Sequence, residues 1–238
     1  MADSSLLYYI TDRKAFPCDE RARRLRLLEK IAEAASCGID YIQLREKDLS
    51  VRELEWLARE AVRVIHDQTS ASGFRHPVTA LLINSRTDVA LASGAAGVHL
   101  PANDVSPEEV RAAWAGKCGA GAPFDELSAG SASEISPPNP LIAVSCHSPG
   151  EVAQAASHKA NFAVFAPVFE KKNTTGINPA GLDALRQACL ESIPVLALGG
   201  VTLQNAESCL QAGAAGIAAI RLFQENDVAM IVRGLRGG

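Results

Sequence analysis

The chain has 238 residues, of which 47% are hydrophobic and 21% charged, and its formal net charge at pH 7 is −4. This composition is typical of a folded globular protein and excludes a disordered or fibrous chain. The negative charge argues against general nucleic-acid binding, which requires a concentrated basic face, but it leaves room for a local anion site.

Short apolar runs alternate with amphipathic segments along the whole chain. The runs are nearly continuous in apolar residues, which is typical of parallel strands that are covered on both faces. They predict eight strands, at residues 6–11, 41–45, 80–84, 97–100, 141–145, 162–168, 194–199 and 217–222.

The amphipathic segments are predicted to be helices. Asp19 and Ser50 each precede one, where a short polar side chain can accept hydrogen bonds from the free N–H groups of the first turn. Glu53, three residues after Ser50, completes a capping box. Further helices are predicted near residues 86–93, 106–114, 149–157, 181–190, 202–211 and 225–235.

This alternation predicts an α/β protein with a single (β/α)8 barrel domain over residues 1–238. An open doubly wound sheet is the alternative, but no Gly-x-Gly-x-x-Gly loop follows the first strand. Only residues 116–140, rich in Gly, Ser and Pro, depart from the alternation of strands and helices. They are predicted to be a non-catalytic insertion between the fourth helix and the fifth strand.

A barrel of this kind concentrates function at the carboxyl ends of its strands. Strand two ends in Gln43, Arg45 and Lys47, and alternation predicts that these three donors converge at the barrel mouth, where they suit a polyphosphate. Asn84 ends strand three and is predicted to reach the same mouth, with helix capping as its alternative role. Asp104, after strand four, is predicted to bind Mg²⁺ beside the polyphosphate.

Two structural alternatives apply to these side chains. The charges after strand two could instead form local ion pairs, Arg45 with Glu46 and Lys47 with Asp48. His99, inside strand four, is predicted to pack in the barrel interior.

The second half of the barrel supplies further candidates. Ser145-Cys146-His147 at the end of strand five has the residue types of a nucleophilic site. Because strand neighbours point to opposite faces and no matching base or acid partner is evident, Ser145 is instead predicted to donate a hydrogen bond to substrate. Lys171 and Lys172 lie in a polar stretch after strand six that is predicted to cover the substrate.

Strand seven ends in Gly199-Gly200, directly before a predicted helix. Glycine lets backbone N–H groups approach a phosphate, and a helix N-terminus adds partial positive charge. Arg221, near the end of strand eight, is predicted to complete this second site. The mouth is therefore predicted to hold two anionic groups.

The six cysteines form no Cys-x-x-Cys pair and are predicted to be small buried side chains in a reducing cytoplasm. The N-terminus lacks the apolar stretch of a signal peptide, and no uncharged run reaches the roughly 20 residues needed to cross a bilayer. A cytoplasmic protein is expected, with small phosphorylated partners, no nucleic-acid or membrane partner, and room for a homo-oligomer.

Five short motifs occur at or near the ends of the predicted strands. They are Gln43-Leu-Arg-Glu-Lys47, Gly97-Val-His-Leu100, Ser145-Cys-His147, Ala166-Pro-Val-Phe169 and Ala197-Leu-Gly-Gly-Val201. Their order and spacing resemble the thiamine phosphate synthase family and its sister group, the thiazole tautomerase-like proteins. The similarity extends from Tyr9 to Ile220.

The resemblance implies a barrel enzyme that couples hydroxymethylpyrimidine diphosphate to a thiazole phosphate, using Mg²⁺, and releases pyrophosphate. It implies that the pyrimidine C–O bond breaks first and that the thiazole nitrogen traps the resulting cation. Such chemistry requires a neutralised leaving group and a held nucleophile.

The resemblance also implies roles by motif position, with Arg45, Lys47 and Ser145 as the catalytic residues. The implied ligands are Gln43, Arg45, Lys47 and Asn84 for the pyrimidine diphosphate, Asp104 for Mg²⁺, Ser145 for the substrate, and Gly200 with Ile220 and Arg221 for the thiazole phosphate.

The sequence departs from the synthase pattern at two places. Ser85 replaces the aspartate of the synthase Asn-Asp pair, which removes one metal carboxylate. The loop after strand six reads Glu170-Lys-Lys-Asn-Thr174 where synthases have Pro-Thr-x-Thr-Lys, so the phosphate-binding cation would come from Lys171 or Lys172.

One sequence feature matches the tautomerase branch of the family. Leu100-Pro101 matches it, but the catalytic histidine of that branch would fall at Pro167. A tautomerase would need another base, such as His147 or Glu170. Three functions stay open: a synthase, a tautomerase, and a non-catalytic binder of thiazole or thiamine phosphate.

Overall fold

The structure is a computed structural model, and it describes residues 5–71, 79–119, 139–170 and 178–237. Within these ranges eight parallel strands, each paired with the next, close into a barrel through the pairing of the first with the last. The predicted (β/α)8 architecture is confirmed, and the doubly wound alternative is wrong. The strands are β1 Leu6–Ile10, β2 Tyr41–Leu44, β3 Ala80–Asn84, β4 Gly97–Leu100, β5 Leu141–Cys146, β6 Phe162–Phe165, β7 Val195–Ala197 and β8 Gly216–Ala219.

Helices of the described chain cover the outside of the barrel. One α-helix follows each of the first seven strands, and two follow the last, of which the short first one was not predicted. A short 3-10 helix, Arg13–Ala15, also lies between the first strand and its α-helix. The described part of the chain holds no helix that is long and apolar enough to cross a membrane. The helices are α1 Glu20–Ser36, α2 Val51–Ala71, α3 Thr87–Ser93, α4 Pro107–Gly119, α5 Pro149–Ser157, α6 Gly181–Ala188, α7 Ala206–Gln211, α8 Arg221–Gln224 and α9 Val228–Arg236.

The two predicted helix starts are confirmed by their hydrogen bonds. The Asp19 carboxylate accepts a hydrogen bond from the main-chain N–H of Ala22 at 2.9 Å. At the start of α2, the Glu53 carboxylate accepts from the main-chain N–H of Ser50 at 3.0 Å, and the Ser50 hydroxyl accepts from the N–H of Glu53 at 3.4 Å. These reciprocal bonds satisfy donors that the helix itself leaves unpaired.

Five predicted strands end earlier than expected, and the largest differences, three residues each, are at β6 and β8. Strand β6 stops at Phe165, because Pro167 has no N–H to donate to a strand ladder. Strand β8 stops at Ala219, since the carbonyls of Ile220 and Arg221 already accept helical hydrogen bonds from residues four positions ahead. The residues after both strands therefore turn over the barrel mouth.

The predicted insertion at 116–140 starts too early, because α4 continues to Gly119. Buried Val110 and Trp114 anchor this helix against the barrel, and nothing in the next residues breaks it. Residues 120–138 of the predicted insertion lie outside the described residues.

The barrel interior is filled from its floor upward. Tyr41 and Phe162 stack with ring centroids 4.7 Å apart, and Tyr8 meets both rings edge-on. Full burial of each large apolar side chain contributes roughly 1.5–3 kcal/mol. These packed rings close the barrel at this level. The buried members of the interior cluster are Tyr8, Ile10, Leu82, Ala143, Phe162, Val164, Leu196 and Ala218.

Candidate active site

A cavity of about 850 Å³ opens at the carboxyl ends of the strands, and each of the eight strands or the residues just after it contributes to its wall. Its position is the one that barrel enzymes use for catalysis. The residues that line this cavity include Gln43, Arg45, Asn84, His99, Ser145, His147, Glu170, Gly199, Gly200, Ile220 and Arg221.

The predicted polar group at strands two and three is present on one wall. The buried Gln43 amide donates a hydrogen bond from Nε2 to Oδ1 of Asn84 at 3.0 Å, and the Asn84 amide nitrogen donates to the Ser85 hydroxyl at 3.0 Å. Asn84 is not a helix cap, because the residue that precedes α3 is Arg86. The amides are therefore held as a pair facing the cavity.

Arg45 forms no ion pair with the side chains that the structure describes. The predicted alternative, a local pair with Glu46, is wrong. Glu46 points away from the cavity and accepts from the Arg13 guanidinium at 3.0 Å, and Asp48 accepts from the same guanidinium at 2.7 Å. A cation on a cavity wall without a protein carboxylate is available for an anionic ligand.

The ion cluster beneath this wall was missed by the sequence reasoning. Burial raises the pKa of Glu46, while hydrogen bonds from Thr11 and Arg13 act in the opposite direction. The Arg13 guanidinium holds the pKa of Asp48 well below its usual range. The signal in the sequence was Glu46 itself, an acid on the outward side of the strand that must find a cation once it is buried.

This cluster also supports Arg45. The Thr11 hydroxyl donates to the Glu46 carboxylate at 2.7 Å and accepts from the main-chain N–H of Arg45 at 3.0 Å. The backbone of Arg45 is therefore fixed from below, while its guanidinium faces the cavity.

The strand register brings His99 between two of the predicted site residues, Asn84 and Ser145. Asn84 lies level with His99 on the next strand, and His99 lies level with Ala143, two residues before Ser145. His99 is buried, as predicted, and its Nε2 lies 2.7 Å from the Ser145 hydroxyl. Burial lowers the pKa of His99 to about 3, with the positive charge of Arg45 adding to the effect. The ring is neutral at physiological pH.

The other members of the Ser-Cys-His sequence do not form a nucleophile. Burial raises the pKa of Cys146 to about 12, which keeps its thiol protonated. His147 lines the cavity, and its Nδ1 donates to the carbonyl of Ala166 at 2.7 Å because a carbonyl can only accept. The sequence-based rejection of a nucleophilic role agrees with this geometry.

The glycines after β7 allow the backbone to approach its neighbours closely. Gly199 and Gly200 have φ values of 97° and 67°, in the region that favours glycine. A Cβ added at Gly200 would lie 2.5 Å from the carbonyl oxygen of Glu170. The Asn205 amide fixes the loop by donating to the Gly200 carbonyl at 3.0 Å and accepting from the N–H of Thr202 at 2.8 Å.

The helix predicted near residues 202–211 is present as α7, but it begins at Ala206 and not directly after the glycines. A loop held by Asn205 takes the place of its first turn. Any anion at Gly199 and Gly200 would therefore be bound by backbone N–H groups of a loop, with Arg221 on the same wall. The structure adds one side of the wall that the sequence did not suggest, formed by Glu225, Asn226 and Met230.

Four predicted site residues are not placed in the cavity wall. Lys47 and Asp104 are exposed and are not among the lining residues. The alternation that was expected to carry Lys47 inward ends with β2 at Leu44. The Asp104 carboxylate accepts from the main-chain N–H of Val105 at 2.9 Å. Lys171 and Lys172 lie outside the described residues.

Comparison with known proteins identifies the family. A family model described as thiamine monophosphate synthase matches residues 7–223. A relative from Aquifex aeolicus is 35% identical over 92% of this chain and 97% of its own length. The thiamine-phosphate synthase of Methanoculleus marisnigri is 33% identical, with 97% of this chain and 93% of the relative covered.

A solved structure agrees with these sequence matches. The thiamine phosphate pyrophosphorylase from Pyrococcus furiosus matches with a TM-score of 0.71 at 26% identity, covering 99% of this chain and 95% of its own. The resemblance that the strand-end motifs indicated is therefore confirmed. The chain belongs to the thiamine monophosphate synthase family.

Proposed function

We propose that the cavity couples hydroxymethylpyrimidine diphosphate to a thiazole phosphate, forming thiamine phosphate and releasing pyrophosphate. The observation that carries this proposal is the layout of the mouth. The Arg45 guanidinium, which pairs with no carboxylate of the described residues, lies on one wall with the Gln43–Asn84 amides. The Gly199-Gly200 loop with Arg221 forms another wall of the same cavity. Family membership supports the same activity, which is that of a transferase.

The layout suits a dissociative substitution. The C–O bond of the pyrimidine breaks, its electron pair leaves with the pyrophosphate oxygen, and the lone pair of the thiazole nitrogen forms the new C–N bond. Arg45 would stabilise the charge that develops on the departing pyrophosphate. The Gly200 loop would hold the thiazole phosphate so that the nitrogen faces the cation. Neither step requires a strong acid or base from the protein.

Mg²⁺ is proposed to bind with the diphosphate. In the described part of the chain, no three carboxylate, histidine or cysteine side chains gather into a metal site. Mg²⁺ is often held by one or two protein carboxylates and several phosphate oxygens, and Asp104, exposed in the loop after β4, would supply one such carboxylate. The ion would neutralise negative charge on the diphosphate. Lys171 and Lys172 would add cations, and the cytoplasm would be the site of action.

The proposal predicts that purified protein with both substrates and Mg²⁺ forms thiamine phosphate and pyrophosphate in equal amounts. Chromatography of the reaction would quantify both products, and leaving out either substrate should abolish them. Turnover of a thiazole tautomer without any diphosphate would instead identify a tautomerase. Tight binding of thiazole phosphate with no turnover would identify a binder, and either outcome would contradict the proposal.

Gly200→Ala is predicted to raise KM for the thiazole phosphate about tenfold or more. A left-handed conformation costs a residue with a Cβ roughly 1–2 kcal/mol, and the new Cβ would also displace the backbone of Glu170. Steady-state kinetics with the thiazole phosphate as the varied substrate would measure the change.

Gly116→Ala is the matched control, because Gly116 is exposed on α4 and a Cβ there would meet nothing within 4 Å. It should leave KM unchanged. An unchanged KM in Gly200→Ala as well would show that the loop does not hold the phosphate.

A further inference from the structure

A chain of hydrogen bonds runs from the barrel floor to the cavity. The Tyr8 hydroxyl lies 2.9 Å from Nδ1 of His99, and Nε2 of His99 lies 2.7 Å from the Ser145 hydroxyl. Tyr8 and His99 are 0% and 3% exposed, whereas Ser145 lines the cavity. The chain therefore connects one cavity hydroxyl, through His99 in the cavity wall, to a fully buried hydroxyl that substrate cannot reach.

The direction of hydrogen-bond donation along this chain follows from the Tyr8 hydroxyl at its buried end. In the described structure the Tyr8 hydroxyl has His99 as its hydrogen-bond partner and no other, and burial raises the pKa of this phenol well above its usual value. The ring of Tyr8 is fixed by edge contacts with Tyr41 and Phe162. A protonated, buried hydroxyl with one partner must donate to it, because the opposite direction would leave its proton without an acceptor.

The donation by Tyr8 sets the tautomer of the histidine. A neutral imidazole has one donor nitrogen and one acceptor nitrogen. If Nδ1 accepts from Tyr8, Nε2 carries the proton and donates it to the Ser145 oxygen. The hydroxyl proton of Ser145 then has no acceptor among the described residues and is available to the cavity.

We propose that Tyr8 and His99 are positioning residues that fix Ser145 as a hydrogen-bond donor toward the substrate. The opposite tautomer would make Ser145 donate to His99 and present only lone pairs to the cavity. This hydrogen-bond relay of Tyr8, His99 and Ser145 therefore selects a substrate atom with a lone pair, such as a ring nitrogen or a phosphate oxygen, at this point of the wall. The effect on catalysis rests on the proposed function, but the direction of the relay does not.

The direction is tested by nitrogen NMR of the ligand-free protein, without any activity. The ¹⁵N chemical shifts of the imidazole distinguish protonated from unprotonated nitrogens, and the signals of His99 are those lost in His99→Gln. We expect a neutral ring with Nε2 protonated and Nδ1 unprotonated. A protonated Nδ1 would overturn the proposal even if the protein is an active synthase.

The consequence for catalysis is tested by a double-mutant cycle. Tyr8→Phe keeps the ring packing and removes only the hydroxyl, and it should lower kcat/KM for coupling about tenfold. In the Ser145→Ala background, the same change should alter kcat/KM less than about twofold, because the hydroxyl that the relay positions is already absent. An equal loss in both backgrounds would show that Tyr8 acts through general packing, and the proposal would fail.

A pair of substitutions at His99 gives an independent readout. Glutamine can place its amide nitrogen where Nε2 of the imidazole lies, so His99→Gln can still donate to Ser145. Asparagine is shorter and reaches only the Nδ1 position. We expect His99→Gln to retain kcat/KM within about tenfold and His99→Asn to match Ser145→Ala. Equal activity of the two variants would contradict the relay.

Discussion

Replacing Arg45 with alanine is expected to lower kcat/KM for the coupling reaction about 100- to 1000-fold. Loss of one donor that stabilises developing negative charge typically has an effect of this size. Arg45 is the guanidinium of the Gln43–Asn84 wall, and no described carboxylate neutralises it. Its charge is therefore available to the departing pyrophosphate. Initial rates with both substrates at several concentrations would measure the loss.

Two further variants separate charge from shape. Arg45→Lys keeps the charge but loses the planar fork that can contact two phosphate oxygens, so its activity should lie between those of the wild type and Arg45→Ala. Arg59→Ala, on the exposed face of α2, removes a cation whose partner is the nearby Glu55, and it should leave the rate unchanged. Equal rates for Arg45→Ala and Arg59→Ala would show that Arg45 does not contact the diphosphate.

Replacing Arg13 with alanine is expected to lower the free energy of unfolding by about 3–5 kcal/mol, the usual effect of breaking a buried ion pair by removing one partner. The side chains of Arg13 and Glu46 are 3% and 2% exposed, so the variant would leave Glu46 charged and buried without its cation. Urea denaturation at neutral pH would measure this loss.

The difference in free energy of unfolding between the wild type and Arg13→Ala should become smaller as the pH falls. In the wild type, Arg13 holds the pKa values of Asp48 and Glu20 below their usual values, so their stabilising contribution is present above the usual pKa and is lost on acidification. In the variant, the unpaired Glu46 takes up a proton in the folded state and becomes less costly to bury. Both effects reduce the stability difference between the wild type and the variant at low pH.

The control for this stability experiment is Arg63→Ala. Arg63 is 61% exposed and pairs with Glu60 and Asp67 on the surface of α2. Exposed pairs contribute roughly 0–1 kcal/mol, so its loss should be small. A similarly small loss in Arg13→Ala would show that the buried cluster does not stabilise the barrel mouth.

The fold was predictable because it depends on local patterns. Parallel strands that are covered on both faces show as apolar runs, and the side chains of Asp19 and Ser50 mark helix starts through bonds that span only a few residues. The placement of Gln43, Arg45, Asn84 and Ser145 in one cavity followed from the rule that strand ends share one mouth.

The remaining features depend on where a strand or helix ends and on contacts between distant residues. Lys47 was assigned to the mouth by alternation, but alternation holds only while strand bonds continue, and β2 ends at Leu44. The helix expected after Gly200 begins later because Asn205 fixes a loop there. The pair of Arg13 with Glu46 joins residues 33 positions apart, which no local pattern specifies.

One cavity is proposed to hold two phosphorylated groups on different walls. A crystal structure of the protein with pyrophosphate, Mg²⁺ and the thiazole phosphate would test it most directly. We expect pyrophosphate oxygens on the Arg45 guanidinium and the Asn84 amide, and the thiazole phosphate on the backbone N–H groups at Gly200. Pyrophosphate bound away from Arg45, or a thiazole phosphate outside this cavity, would contradict it.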